Sequence, residues 1–173
     1  MEKARADTTI RTNIQDAMKF ALIDIVVECQ PGKRIVAAKN VALAEEYLQD
    51  HFPAFPVLPG VFMVQALVES ASWLVRVSED FAHSLITLAE LRNARYQSFV
   101  RPGEQLVAEV TAEEIAPERS SFKGVGKVGD RQVVQARLTL RHENLADSRP
   151  ELAALDTQIV QRLRQQWELI RPR

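Results

Sequence analysis

The chain has 173 residues, 46% hydrophobic and 26% charged, which is typical of one ordinary globular domain with a substantial core. Its formal net charge is −1, so there is no basic excess to pair with phosphates, and we expect neither nucleic acid nor a membrane as a partner. Its single cysteine, Cys29, excludes an internal disulfide and a thiolate metal cluster and fits a reducing compartment.

Two strands joined by a turn are predicted near the start of the chain. Residues 1–12 are polar and aperiodic, carry no evident targeting signal and are expected to form a flexible arm. The strand from Phe20 to Cys29 would bury Cys29 as a small hydrophobe rather than expose it as a nucleophile. A turn from Gln30 to Lys33 would lead into an antiparallel strand from Arg34 to Leu43. The polar segment that follows leads into a proline-rich loop.

This loop runs from His51 to Gly60 and carries three prolines in seven residues. Each proline fixes φ and removes a backbone donor, so we expect a stiff extended loop. The run from Val61 to Val77 is apolar on nearly every side and predicts a helix buried all round, although no apolar stretch approaches the roughly 20 residues of a membrane span. The free N–H groups at Gly60 and just after it could hold an oxygen with partial negative charge.

Further strands are predicted after the helix, which should end at Ser78 to Asp80. The segment from Ser84 to Tyr96 has strand-like residues in its first half. Three more strands are expected at Glu104 to Ile115, Arg119 to Val128 and Arg131 to His142. Gly129 and Asp130 would join the last two in a type II′ hairpin. A sheet of this kind can bury one apolar helix only by wrapping around it.

The end of the chain has a helical pattern that begins at Ser148. Its apolar residues recur at three- and four-residue spacings: Leu152, Leu155, Ile159, Val160, Leu163, Trp167 and Ile170. We expect an amphipathic helix that packs on its own domain or on a neighbouring subunit, the alternative being a docking surface for another partner. The predicted divisions are therefore an arm at 1–12, a main domain at 13–145 and a helical extension at 146–173.

The proline loop carries a family resemblance. The string His-Phe-Pro-x-x-Pro-x-x-Pro-Gly-Val before an apolar helix resembles the FabZ/FabA-type dehydratases, which act on 3-hydroxyacyl chains of acyl carrier protein. Asp24 and the segment from Pro31 to Val41 resemble the first two strands of that family, and Asn93 to Tyr96 and Arg101 to Leu106 resemble a later strand-loop-strand region. The similarity runs from about residue 20 to about residue 142.

The resemblance implies an α+β hotdog fold, in which an antiparallel sheet wraps around a long central helix, here with an additional C-terminal amphipathic helix. It implies a homodimer or a higher even oligomer, with each active site taking its histidine from one subunit and its carboxylate from the other. It also implies an enzyme of fatty-acid or related acyl-chain metabolism. Since no targeting signal is evident and the single cysteine fits a reducing compartment, the cytoplasm is the expected location. The substrate would be an acyl thioester on acyl carrier protein or CoA, with no cofactor and no metal.

Elimination of water from a 3-hydroxyacyl thioester needs a base for the C2 proton, an acid for the hydroxyl and donors for the thioester carbonyl. The resemblance assigns the base to His51, the donor to the backbone N–H of Gly60 and the acid to a carboxylate fourteen residues after the histidine. That position holds Gln65, which has no titratable proton, and Glu69 stands one turn later, where the family usually has glutamine. Either Glu69 supplies the proton, directly or through Gln65 and a water, or the two side chains merely satisfy each other inside the fold.

Other site residues are expected from their position beside the motif. An acyl channel could be lined by Phe55, Leu58, Val61, Phe62 and Phe99, although such residues also serve as ordinary core. His83 and His142 have no motif around them and are expected at the surface.

Three functions remain open at this point. The first is a 3-hydroxyacyl thioester dehydratase, or the reverse hydratase, which predicts enoyl hydration. The second is a catalytically silent acyl-thioester binding subunit, which predicts binding without turnover. The third is a thioesterase, because other hotdog families hydrolyse thioesters with a single carboxylate and a helix N-terminus, and it predicts release of the thiol.

Overall fold

A computed structural model describes residues 21–52 and 54–173, so the predicted arm at 1–12 and the start of the main domain at 13 lie outside the described residues. The strands are β1 (Ile25–Gln30), β2 (Arg34–Asn40), β3 (Leu85–Tyr96), β4 (Gln105–Ile115), β5 (Arg119–Val128) and β6 (Arg131–Glu143). The helices are α1 (Tyr47–Asp50), α2 (Gly60–Ser78), α3 (Leu145–Ser148) and α4 (Ala153–Ile170), with a short 3-10 turn at Pro150–Leu152.

The six strands form one antiparallel sheet in the order β1-β2-β4-β5-β6-β3, and helix α2 packs against it. Close packing is possible because β5 carries a glycine, Gly124, under the helix, where a Cβ atom would lie 3.1 Å from Leu67 Cδ1. By length and composition α2 could cross a membrane, but most of its residues are buried, as in the core helix of a globular fold. The predicted α+β hotdog fold is confirmed.

Several predicted boundaries differ from those in the structure. Strand β1 begins at Ile25 rather than at Phe20. Within it Val26 is buried and Val27 is 58% exposed, and a bulge follows Val26. Strand β2 ends at Asn40 rather than at Leu43, and a short helix, α1, forms within the segment that the sequence marked only as polar. Strand β3 continues through its polar second half to Tyr96.

The β5–β6 hairpin agrees with its prediction. A type II′ turn requires a positive φ at its first central residue but not at its second. Gly129 has φ +56° and Asp130 does not have a positive φ, so both residues fit this turn. Strand β6 ends at Glu143, one residue beyond the predicted end.

The prediction that His142 lies at the surface is wrong. The residue is only 3% exposed, and its ring lies near His83 and the carboxylate of Glu79. The reason is the register of β6, in which every second side chain from Leu138 through Leu140 to His142 turns inward. Burial, together with the nearby His83, lowers the pKa of His142 to about 4, so its ring is neutral at physiological pH. His83 itself is half-buried.

The position of Cys29 is closer to its prediction, which was a small buried hydrophobe rather than an exposed nucleophile. It is half-buried, and burial, reinforced by Glu28, raises the pKa of its thiol to about 11. A thiol with so high a pKa is protonated and a poor nucleophile at neutral pH.

Helix α4 packs on its own domain. The Trp167 ring stacks on Trp73 of helix α2 with ring centroids 5.8 Å apart, and Ile170 is buried at the far end of α4. Arg164 donates to the carboxylate of Asp80 at 2.9 Å. The helix begins at Ala153, later than the predicted start near Ser148, because two short turns precede it.

A buried carboxylate, Asp156, fixes the start of α4. It accepts hydrogen bonds from the Ser84 hydroxyl and from the backbone N–H groups of Leu145 and Ala146, the latter two at 2.9 Å. Burial alone would raise the pKa of Asp156, but these hydrogen bonds outweigh it, so the pKa is lowered. A lowered carboxylate pKa contributes stability above the ordinary Asp range, and that stability is lost as the pH falls through the lowered value.

Asp156→Ala is expected to reduce the free energy of unfolding at pH 7 by roughly 2–3 kcal/mol, because it leaves buried donors without an acceptor. For a chain of this size that corresponds to roughly 4–12 °C in melting temperature. The difference in the free energy of unfolding between wild type and variant should become smaller in acid, below the ordinary Asp pKa of about 4. Thermal unfolding at several pH values measures it, with Asp130→Ala at the exposed hairpin tip as the matched control. Equal losses in both variants would contradict this role.

Candidate active site

The proline loop and the start of helix α2 enclose a cavity of about 250 Å³, which we call the histidine cavity. Its lining includes His51, Leu58, Gly60, Met63, Tyr96 and Phe99. His51 stands at the end of the short helix α1, where its backbone N–H donates to the Tyr47 carbonyl at 3.2 Å. The next residue, Phe52, has φ +53°, a backbone conformation that side chains disfavour and that the surrounding structure must hold.

The space around Gly60 has no room for a side chain, but the backbone N–H of Gly60 has no partner within the helix. A Cβ atom there would lie 3.0 Å from Cε1 of the Tyr96 ring, so any side chain would displace that ring. Among the described residues no side chain caps the start of helix α2, and the first N–H groups of an α-helix have no partner within it. The helix start therefore offers donors and the positive end of a dipole to an oxygen bound in the cavity.

The loop is anchored at Leu58, which is fully buried and donates its N–H to the Val100 carbonyl at 2.8 Å. Phe55 packs edge-on against Phe99 with ring centroids 5.7 Å apart, and both rings are exposed. Of the five residues predicted for the acyl channel, Leu58 and Phe99 line the histidine cavity, and Phe55 contacts Phe99.

The other two predicted channel residues lie outside this cavity in the single chain. Val61 is exposed, and Phe62 packs edge-on against Tyr47 with ring centroids 4.8 Å apart. Their roles in the channel stay predictions.

Gln65 and Glu69 line a second cavity, of about 220 Å³, which we call the carboxylate cavity. Glu69 is largely buried and accepts a hydrogen bond from the Leu22 N–H at 2.8 Å. Burial raises the pKa of the Glu69 carboxyl, an effect that Leu22, the Trp73 indole and the charge of Arg76 only partly offset. A carboxyl with a raised pKa is suited to donate a proton near neutral pH.

One alternative from the sequence was that the Gln65 and Glu69 side chains merely hydrogen-bond to each other. The structure does not show that pairing. Among the hydrogen bonds of the described residues, Glu69 takes one from Leu22 and none from Gln65. The Gln65 side chain is exposed instead, on the side of α2 that faces away from the buried core. Its amide is therefore free to hold a ligand.

A single chain separates the four predicted catalytic residues into two pairs. His51 and Gly60 share the histidine cavity, whereas Gln65 and Glu69 share the carboxylate cavity. Glu69 comes nine residues after Gly60, which is about 13 Å along an α-helix. One reacting carbon cannot contact both ends of that span, and we call the two predicted pairs, His51 with Gly60 and Gln65 with Glu69, half-sites.

The structure adds residues that the sequence did not single out. Tyr96 lies against Gly60, and its only signal in the sequence was its place in the strand-loop-strand region. Trp73 and Arg76 line the carboxylate cavity, as do Leu163 and Gln166 of helix α4. The i+4 and i+7 spacing of Trp73 and Arg76 from Glu69 could have placed them on its helix face, but nothing in the sequence indicated that α4 would cover that face.

Comparisons with a family model and with known proteins point to the same family. The family model, described as a FabA-like domain, matches residues 15–137 of this chain. The chain is similar to the 3-hydroxyacyl-(acyl-carrier-protein) dehydratase FabZ of Pediococcus pentosaceus, at 38% identity over 132 residues, which is 76% of this chain and 89% of that protein. FabZ of Caldanaerobacter subterraneus is also 38% identical over 129 residues, which is 75% of this chain and 92% of that protein.

Among solved structures, the fold is similar to that of the dehydratase heterocomplex ApeI:P from Xenorhabdus doucetiae. The TM-score is 0.64 at 18% identity, and the match covers 77% of this chain and 90% of the other. A thioesterase from Haemophilus influenzae gives a TM-score of 0.53, also at 18% identity, over 69% of this chain and 78% of the other. At such identities these structures establish the shared fold.

Proposed function

The chain belongs to the FabA-like family, and we propose that it is a 3-hydroxyacyl thioester dehydratase of fatty-acid biosynthesis, acting on chains carried by acyl carrier protein or CoA. One observation carries the proposal beyond family membership. Glu69, although displaced by one turn from the usual acid position, is largely buried, has a raised pKa and lines the same cavity as Gln65. A cytoplasmic location fits this role and the single cysteine.

The proposed chemistry uses the two half-sites together. The imidazole of His51 removes a proton from C2, and the developing charge on the thioester oxygen is held by the Gly60 N–H at the start of α2. The Glu69 carboxyl gives its proton to the departing C3 hydroxyl, which leaves as water. The C2–C3 double bond forms from the electron pair of the broken C2–H bond. Gln65 holds the hydroxyl by a hydrogen bond during this step.

The proposal requires more than one chain, because one chain separates the half-sites. The long strand β3 supports assembly, since it lies at the edge of the sheet, pairs with β6 on one side, and has Leu88 and Leu91 each 40% exposed. Such an edge is prone to pair with another strand. We therefore propose a homodimer, or a higher even oligomer, with each active site built from both subunits.

Sedimentation at micromolar concentration is expected to give at least twice the 19.5 kDa mass of the chain. Leu88→Lys with Leu91→Lys should shift the protein toward monomer, because charges would replace the exposed leucines of the edge. Replacing Val27, an exposed residue on the opposite edge strand, is the matched control. A wild-type mass near that of one chain would contradict the shared site.

Activity itself is tested by offering crotonyl and longer enoyl thioesters and following the loss of the conjugated double bond. Hydration, with the thiol still esterified, is the expected result. Release of free thiol would identify a thioesterase instead, and binding without turnover of any chain length would identify a silent acyl-binding subunit. A thiol-reactive dye in the same assay separates these outcomes.

A further inference from the structure

Three metal-ligating side chains meet at the opposite end of helix α2 from the histidine cavity. They are Glu79, which follows the last residue of α2, His83, in the connection to β3, and His142, at the end of β6. Glu79 comes nineteen residues after Gly60, which is about 28 Å along a helix. This cluster, the Glu79–His83–His142 site, therefore lies far from the proposed dehydration chemistry.

Two of the three donor-to-donor distances in the site match those around a tetrahedral metal ion. Glu79 Oε2 lies 3.4 Å from His83 Nε2 and 3.4 Å from His142 Nδ1. Ligands bound to zinc at about 2.0–2.1 Å with tetrahedral angles are themselves about 3.3–3.4 Å apart. Octahedral neighbours at that bond length would be only about 2.8–3.0 Å apart. One donor atom from each of the three residues can be chosen so that all three atoms lie within 4.8 Å of one another. A small rotation of the side chains would therefore bring the three atoms to the corners of one face of a tetrahedron around the ion.

Two of these atoms are buried without a hydrogen-bond partner. Glu79 Oε2 and His142 Nδ1 both have this property, although the His142 side chain is fully buried. At 3.4 Å the contact between them is longer than an ordinary hydrogen bond. A buried polar atom left without a partner costs roughly 1–3 kcal/mol, and a metal ion between the atoms would remove that cost.

The surroundings supply what else such a site needs. His83 and His142 both line a cavity of about 970 Å³, which gives an ion access and leaves room for water as a fourth ligand. The backbone of Pro117 lies beside the His142 ring, where its carbonyl would serve as an outer partner for a metal-bound histidine. The charge of Arg76 also reaches His142 and opposes a cation, which limits the affinity.

We propose that Glu79, His83 and His142 bind one divalent ion of the zinc class. Two imidazoles and one carboxylate are borderline ligands that suit such an ion. The ion would join the C-terminal end of α2 to the end of β6, two elements that are distant in sequence. Its role is structural, because the site lies far from the reacting groups.

The test uses the full chain, freed of metal by a chelator and then titrated with Zn²⁺ alone. We expect one Zn²⁺ per chain by elemental analysis after dialysis, and a higher melting temperature with the ion than without it. Co²⁺ in place of Zn²⁺ should give the visible absorption of a tetrahedral site. These readouts do not depend on enzyme activity.

Glu79→Gln and His83→Ala should each abolish stoichiometric binding and the Zn²⁺-dependent rise in melting temperature. Glu79→Gln keeps the side-chain shape and His83 is only half-buried, so both variants are expected to fold. His51→Ala removes the histidine outside the site and should bind Zn²⁺ as wild type does. Wild type that retains no Zn²⁺, or variants that retain as much as wild type, would overturn the proposal.

Discussion

Glu69→Gln is expected to lower the rate of dehydration by about 10²- to 10⁴-fold, the usual contribution of a general acid. The amide keeps the shape of the side chain and can still accept the Leu22 N–H, but it has no proton to give. Turnover of a 3-hydroxyacyl thioester measures the loss.

The same substitution should not destabilise the protein. Burial raises the pKa of Glu69, so the fold prefers the protonated carboxyl. The stability gained from that proton is fully present at low pH and is lost as the pH rises through the raised pKa. A glutamine stays neutral at every pH, so at pH 7 the variant should melt at the same temperature as wild type or higher. A parallel loss of activity and melting temperature would instead indicate a structural role.

Gln65→Glu distinguishes a shift of the acid from a disabled site. If Glu69 is the acid, a second carboxylate one turn away raises the pKa of both groups, and turnover should gain little. If the usual site is merely disabled, Gln65→Glu should raise turnover by about tenfold or more, and Glu69→Gln should have no further effect. The double variant, which restores the usual order of the two residues, completes the comparison.

His51→Ala is the second large effect that we expect. Removal of the base should cost about 10²- to 10⁴-fold in turnover while the melting temperature stays nearly the same. The reason is the position of the side chain, which is half-buried at the end of α1 and stacks edge-on against the exposed Phe52.

The matched control is Gln49→Ala, which changes an exposed residue of the same short helix and should leave both rate and stability unchanged. Steady-state kinetics and thermal unfolding on the same preparations test the pair. If His51→Ala lost activity only in proportion to folded protein, the histidine would be structural.

The parts of the fold that depend on local chemistry could be predicted from the sequence. The proline loop, the start of the buried helix near Gly60 and the turn at Gly129 each depend on constraints within a few residues. The second half of β3 could not be predicted, because polar residues such as Arg92 and Arg95 form a strand there only through pairing with β6.

The sequence predicts candidate site residues but not their arrangement. The motif indicated His51 and Gly60, and the family resemblance implied that Gln65 and Glu69 have exchanged places. Which residues share a cavity depends on how distant elements pack, and a single sequence does not state this. The packing of helix α4 beside Glu69 involves contacts between residues distant in sequence, such as the hydrogen bond from Ser84 to Asp156 and the stacking of Trp167 on Trp73, and the burial of His142 depends on the register of β6.

The division of the proposed catalytic residues between two cavities of one chain has a genetic consequence. Two alleles, each inactive alone, should complement each other if one encodes His51→Ala and the other Glu69→Gln. A mixed dimer would pair the intact His51 half-site of one subunit with the intact Glu69 half-site of the other and leave its second site with both defects. Random mixing makes half of the dimers mixed, each with one working site of two, so co-expression should recover about a quarter of wild-type activity.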